Sequence, residues 1–192
     1  MLFRSGGSAK GKNLYSPSER TRPTSDRARE GLFSSLESEF GSISDLKFLD
    51  LFSGSGAVGV EALSRGAAFV QSVEQDRSTA QIAEKNFQLV NGVSGTFRVD
   101  AERAGKYLSV PAEIQFDIIF LDPPYELPNK EIEKLLRAIL KNNYLKSDGI
   151  IAVERESKSK EFIWPSPLVG TKVRGYGQGS IYYGTNSANF NP

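Results

Sequence analysis

The sequence predicts an α/β fold: a mostly parallel, doubly wound sheet with a C-terminal antiparallel hairpin and a short N-terminal arm. Three observations predict it. Short apolar runs alternate with helical stretches between residues 47 and 153, the pattern of strands joined by crossover helices. The run Phe116-Asp117-Ile118-Ile119-Phe120-Leu121 carries few polar atoms, as a strand covered on both faces does. A glycine-rich loop separates the first strand from the helix after it, the site of a tight strand-to-helix turn.

Taken in order, residues 1–23 are rich in Gly, Ser, Lys and Pro and read as an arm. A short hairpin is expected around Gly7 to Leu14, and Pro23 punctuates the arm's end. Ser25 is the expected N-cap of the first helix, with Asp26 in its first turn where a negative charge suits the helix dipole. Ala28, Leu32, Leu36 and Phe40 recur every four residues, so the helix should run about fifteen residues and stop at Gly41. Lys47–Leu51 reads as a strand, Ala57–Arg65 as a helix, and Phe69–Val73 as a strand ending at Glu74. Ser78–Val90 reads as a helix, Thr96–Val99 as a short strand, Arg103–Val110 as a weak helix and Phe116–Leu121 as a strand. Asn129–Leu145 is read as one helix from Ile132, Leu135, Leu136, Ile139 and Leu140. Ile150–Val153 is the next strand, and Lys172–Gly175 with Ser180–Tyr183 forms the terminal hairpin. The organisation expected is a basic arm over residues 1–23 and one domain over 24–192.

Composition narrows the chemistry. Apolar residues make up 39% and charged ones 24% of 192 residues, which suits one globular domain with a real core. The net charge of +1 indicates no partner. Its distribution says more: residues 1–30 hold Arg4, Lys10, Lys12, Arg20, Arg22, Arg27 and Arg29 against Glu19, Asp26 and Glu30, so an anionic partner can dock there. A solvated basic face explains the charge equally well. No Cys or His is present, which excludes disulfides, zinc sites built on those residues, nucleophilic Cys chemistry and His-based triads. With no secretory leader and no long apolar run, a cytoplasmic location is expected.

Leu49-Asp50-Leu51-Phe52-Ser53-Gly54-Ser55-Gly56-Ala57-Val58-Gly59 contains a GxGxxG match in the strand-loop-helix context that the motif requires. Gly54 is expected to permit the sharp turn, Gly56 a close backbone approach to a ligand, and Gly59 tight helix-on-sheet packing. Glu74, twenty residues past Gly54, can accept bonds from the two hydroxyls of an adenosine ribose. Together these predict a nucleoside-containing cofactor without choosing NAD over S-adenosylmethionine. Asp50 can receive a methionine ammonium, or simply hold the loop by backbone bonds. Asp100 can accept from an adenine amino group while the Ala101 amide donates to a ring nitrogen; alternatively Asp100 is a helix N-cap.

Asp122-Pro123-Pro124-Tyr125 and the missing His weigh toward S-adenosylmethionine, while the glycine motif alone still permits NAD-dependent oxidoreduction. The tetrapeptide follows a strand, where ligands of open sheets bind. Two prolines fix φ and remove two donors, so the turn is stiff. The Asp122 carboxylate and the Pro123 carbonyl can then accept both hydrogens of an exocyclic amine and orient its lone pair toward an electrophilic methyl group. Such orientation contributes several kcal/mol, in order of magnitude. Tyr125 supplies a face for base stacking, worth roughly 1–3 kcal/mol, and a base within a duplex would have to flip out to reach it. Asp122 or water can take the departing proton, and no metal is needed. The expectation is a Rossmann-like S-adenosylmethionine-dependent methyltransferase fold acting on a base amino group.

With these motifs in view, the chain resembles the bacterial RsmD-like family, which methylates guanine N2 in small-subunit ribosomal RNA. The resemblance spans nearly the whole chain. It rests on Arg22-Pro23-Thr24-Ser25-Asp26-Arg27 with Arg29-Glu30 and Leu32-Phe33, on Leu49 to Gly56, on Glu61-Ala62-Leu63-Ser64-Arg65-Gly66-Ala67, and on Phe116-Asp117 through Tyr125. It implies cofactor contacts at Asp50, Gly54, Gly56, Glu74, Asp100 and Asp122, and RNA contact by the arm. Arg22 and Arg27 are the substrate candidates, with Lys10 and Lys12 of Lys10-Gly11-Lys12, which match the family's glycine–basic pattern. Arg29 is expected instead to pair with a nearby carboxylate. Ser53 stands where the family usually has alanine. The implied partner is small-subunit ribosomal RNA or its assembly particle, met by a monomer with no membrane or metal involvement. Two other readings remain open on sequence: a DNA or other RNA amino-group methyltransferase, and an inert RNA-binding assembly factor on the same fold.

Overall fold

The computed structural model describes residues 13–16, 25–90, 93–159 and 162–189. The hairpin expected at Gly7 to Leu14 therefore lies almost wholly outside the described residues. The first helix, α1 (Asp26–Phe40), has the expected limits. The Ser25 hydroxyl accepts the Ala28 N–H at 3.1 Å, and Gly41 ends the helix with φ +76°, where a side chain would be strained. The chain continues through β1 (Lys47–Asp50), α2 (Ala57–Ser64), β2 (Phe69–Glu74), α3 (Arg77–Gln88) and β3 (Thr96–Ala101). Next come α4 (Ala104–Tyr107), β4 (Phe116–Leu121), α5 (Asn129–Lys141), β5 (Leu145–Glu156), β6 (Leu168–Tyr176) and β7 (Gly179–Asn186).

Among the described residues the strands form one seven-stranded sheet in the order β3-β2-β1-β4-β5-β7-β6. The first five run parallel; β7 is antiparallel to both β5 and β6. One core packs Leu32, Phe33 and Leu36 of α1, with α2 and Phe87 of α3, against Phe48, Ile118 and Phe120. The other packs Leu136 and Ile139 of α5 against Leu49, Ile119 and Val153. The sheet is thus covered on both faces, and every residue of β4 is buried. From β1 the chain winds toward β3, and from β4 toward β6. The order reverses between β1 and β4, and the crevice beyond their carboxyl ends is where such sheets bind ligands.

Several element limits differ from expectation, each for a physical reason. The helix at 129 ends at Lys141, not Leu145: Asn143 turns the chain at φ +62°, and Leu145 opens β5, so its apolar side chain belongs to the sheet. β5 spans twelve residues, Leu145–Glu156, and two of its charged members are paired within the fold: Lys146 bonds Asp117 at 2.6 Å and Arg155 donates to the Leu127 carbonyl at 2.8 Å. Paired charge inside a strand is invisible to hydropathy. β3 runs on to Ala101, and Arg103 occupies the N-cap position of the single-turn α4. Asp100 is therefore a strand residue and not a helix cap. α3 begins at Arg77 under Asp76, whose carboxylate accepts the Thr79 N–H at 2.8 Å; the Ser78 hydroxyl and that amide hold its pKa at about 2.

Arg29 is fully buried and pairs with Asp26 at 2.7 Å and with the buried Glu61 at 2.8 Å. Glu61 in turn holds Arg65, which reaches Glu37 at 2.7 Å. This chain of charges staples α1 to α2. Removing one partner would strand a buried ion at a cost of about 3–5 kcal/mol.

Candidate active site at the strand ends

The site is built from residues at the carboxyl ends of the parallel strands. Asp50 is the last residue of β1 and Glu74 the last of β2. Asp122 comes directly after β4, and Asp100 and Ala101 close β3. Register aligns Asp50 with Phe120 on one side and Ser72 on the other, and Glu74 with Ala101. The fold thereby gathers Asp50, Glu74, Asp100, Ala101 and Asp122, up to 72 positions apart in the chain, at one edge of the sheet.

Asp50 is only 1% exposed. Burial pushes its carboxyl well above the usual range, with further upward pressure from the Asp122 and Glu74 charges, against a lowering backbone bond from Phe52. Its Oδ1 is buried without a hydrogen-bond partner. A buried acceptor left this way is costly unless a donor arrives. Asp50 therefore lies within electrostatic reach of both Asp122 and Glu74, and a cation between these groups would relieve the burial and the repulsion together.

The glycine loop hangs on Glu74. Its Oε2 accepts the Gly54 N–H at 2.9 Å, and its Oε1 accepts the Asp76 N–H at 2.8 Å. Each oxygen keeps a second lone-pair site for a ligand hydroxyl. Gly54 (φ +51°) opens onto empty space, with nothing within 4 Å of where a Cβ would stand. Gly56 caps α2 in the left-handed region, and a Cβ there would meet Ala83 at 3.1 Å and Phe87 at 3.2 Å. Gly54 turns the chain in the left-handed region as expected, while Gly56, expected to admit a ligand, is needed for close contact with α3. Gly59 packs as expected, a Cβ there lying 2.6 Å from Phe87 and 3.0 Å from Val70.

Asp100 is held on both oxygens, by Gln71 at 3.1 Å and by Arg98 at 3.1 Å. These bonds orient it at the sheet edge beside the exposed Ala101. Pro123 is buried, Asp122 and Tyr125 are half-buried, and Leu127 N–H closes the turn onto the Pro124 carbonyl at 2.9 Å.

Sequence reasoning missed the residue that grips this turn. Arg155 of β5, 3% exposed, donates to the carbonyls of Pro124 (3.3 Å), Tyr125 (3.2 Å) and Leu127 (2.8 Å). A planar guanidinium suits several acceptors at once. The available signal was a charged pair, Glu154-Arg155, continuing an apolar run. Asn86 was also missed. Fully buried in α3, it accepts the Tyr15 N–H at 2.8 Å and donates to the carbonyls of Tyr15 (2.9 Å) and Ser55 (2.8 Å). It joins the arm to the glycine loop, and Leu14 beside it enters the core. Of the basic candidates, Arg27 is exposed in the first turn of α1, while Lys10, Lys12 and Arg22 lie outside the described residues.

Known proteins share this architecture. Residues 5–185 match the family described as conserved hypothetical protein 95. The chain is 38% identical over 149 residues to "Ribosomal RNA small subunit methyltransferase D" of Haemophilus influenzae, covering 77% of this chain and 74% of that one. The solved structure of yhhF from Escherichia coli superposes with TM-score 0.81 at 31% identity, over 94% of this chain and 96% of that one. SMU.776, solved with S-adenosylhomocysteine, has TM-score 0.60 at 17% identity, covering 81% of this chain and 47% of that one, and shares the fold.

Proposed function

The chain belongs to the RsmD-like methyltransferase family, and from that premise we propose that it transfers a methyl group from S-adenosylmethionine to the exocyclic N2 of a guanine in small-subunit ribosomal RNA. One observation carries the reading: β1 and β4 pair in parallel with Asp50 opposite Phe120, so Asp122 of the proline turn leaves the sheet beside the strand end that carries Asp50 and the glycine loop. An amine gripped by Asp122 is thus next to a cofactor held by Asp50, at the point where the strand order reverses.

The residues present fit the cofactor. Asp50, with its unpartnered buried Oδ1, would hold its ammonium, Glu74 would accept its ribose hydroxyls, and Asp100 with Ala101 would hold its adenine. Gly54 leaves open space at the loop, with nothing within 4 Å of where a Cβ would stand. When bound, S-adenosylmethionine supplies an electrophilic methyl on a sulfonium.

The protein's own part is orientation. The Asp122 carboxylate and the Pro123 carbonyl accept the two N–H bonds of the amine, which turns its lone pair outward. Arg155 keeps the turn from relaxing. Tyr125 stacks the base, and the proton that the amine loses, as the methyl carbon gains a bond to nitrogen and gives up its bond to sulfur, passes to Asp122 or to water. Arg22, Arg27, Lys10 and Lys12 attract phosphates, and residues 1–23 act as an RNA-binding arm on a methyltransferase domain spanning 24–192.

The test is incubation with labelled cofactor and small subunits or assembly intermediates lacking the modification. Label in guanine N2, mapped by mass spectrometry, is the expected result. Folded protein that binds cofactor yet labels no guanine overturns the proposal.

A further inference from the structure

Asp122 and Pro123 can grip an exocyclic amine without identifying its base. Adenine, cytosine and guanine all carry one. In adenine and cytosine the pyrimidine-ring nitrogen beside the amine offers a lone pair. In guanine the corresponding N1 carries a hydrogen. A second protein group at that position therefore decides which base is accepted, and only an acceptor there favours guanine.

Glu154 stands where such a group is needed. Leu121 and Val153 are register partners in β4 and β5, so the residues after them, Asp122 and Glu154, lie side by side, one strand spacing of about 4.8 Å apart. Side chains alternate along β5: Val153 enters the core on the α5 face, and Ala152 the core on the α1 face with Phe120 and Phe48. By that alternation Glu154 belongs to the α1 face, as does Asp50, two residues after Phe48. Glu154 is 5% exposed, too buried to be a solvating surface charge. It also borders the stacking residue. A Cβ on Gly179 would lie 2.7 Å from Glu154 Oε1 and 3.2 Å from the Tyr125 hydroxyl. The glycine on β7 thus leaves room for both groups at one spot.

We propose that Glu154 is the base-selecting residue, accepting the N1–H of the guanine whose amino group Asp122 and Pro123 hold. Adenine or cytosine in the same pose would point a lone pair at its carboxylate, and the two acceptors would repel. The inference rests on the guanine-N2 reading above and adds the group that enforces it.

The experiment compares RNAs carrying guanine or 2-aminopurine at the nucleotide the full-length enzyme methylates. 2-Aminopurine keeps the exocyclic N2 amine but has no hydrogen at N1. Wild type should methylate guanine at least tenfold more efficiently by kcat/KM. Glu154→Gln, which can turn an N–H toward an unprotonated N1, should shrink that ratio at least tenfold while leaving cofactor affinity unchanged. Equal efficiency of wild type on the two bases overturns the proposal whether or not the variant folds. So does an unchanged ratio in a Glu154→Gln enzyme that still binds cofactor normally. Failure of wild type to methylate any guanine would instead overturn the function reading itself.

Discussion

Asp50 shows how much one buried carboxyl can report. Burial, then the charges of Asp122 and Glu74, push its carboxyl pKa up, and an arriving ammonium would push it back down. The sign follows directly. The pKa is raised in the free protein and lowered by a bound cation, so binding releases a proton and strengthens as pH rises through the raised value. Calorimetry with S-adenosylhomocysteine in buffers of different ionisation enthalpy should detect this release, and a pH-independent affinity with no proton exchange would contradict it. Asp122 and Glu74 should separate cleanly by kinetics. Asp122→Ala is expected to lower kcat by about 10²-fold or more, through lost orientation and proton acceptance. Glu74→Ala is expected mainly to weaken cofactor binding, since it removes the anchor of Gly54 N–H and the proposed hydroxyl acceptor. Equal cofactor affinity in wild type and Glu74→Ala would remove Glu74 from that role.

At the scale of elements, the two loops of the site are rigid for different reasons. The glycine loop is fixed by packing behind it, where α2 approaches β2 and α3 so closely that Gly59 has no room for a methyl group. Phe87 cannot give way easily, because it is buried and stacks on Phe97 at 4.7 Å. Gly59→Ala should therefore cost about 1–3 kcal/mol by overpacking, read as a lower denaturant midpoint at unchanged m-value. The proline turn is fixed by Arg155, whose three carbonyl acceptors belong to the turn itself. Arg155→Lys keeps a charge but loses the fork. It should reduce kcat more than KM, with cofactor affinity unaltered; a change confined to KM would mean the turn does not need the clasp.

For the whole molecule, the sheet's reversal between β1 and β4 puts the site at one rim, and α1 begins near that rim. Gly31 of α1 packs on Tyr176, at the end of β6 beside Gly179, so the start of α1 lies on the same side as the crevice. Asn86 then ties Tyr15 of the arm to Ser55 of the glycine loop. Replacing Lys10, Lys12 and Arg22 together by Gln should weaken RNA binding and flatten its salt dependence, by roughly 0.7 in log–log slope for each phosphate no longer neutralised. Cofactor affinity without RNA should not change. An unaltered slope would place the RNA-binding surface elsewhere.

Much of this was written in local pattern. The period of α1 and its Ser25 and Gly41 ends, the unbroken apolar run of β4, the glycine loop and the proline turn are short-range features, governed by sterics and hydropathy within a few residues, and they were legible before any fold was known. Long-range pairing was not. The partners of Arg29, the length of β5, the clasp of Arg155 on the proline turn and the hold of Asn86 on the arm depend on residues up to 71 positions away. Hydropathy treats a charged side chain as exposed wherever it falls. Only packing decides whether a distant acceptor stands ready to satisfy it, and so whether it can be buried.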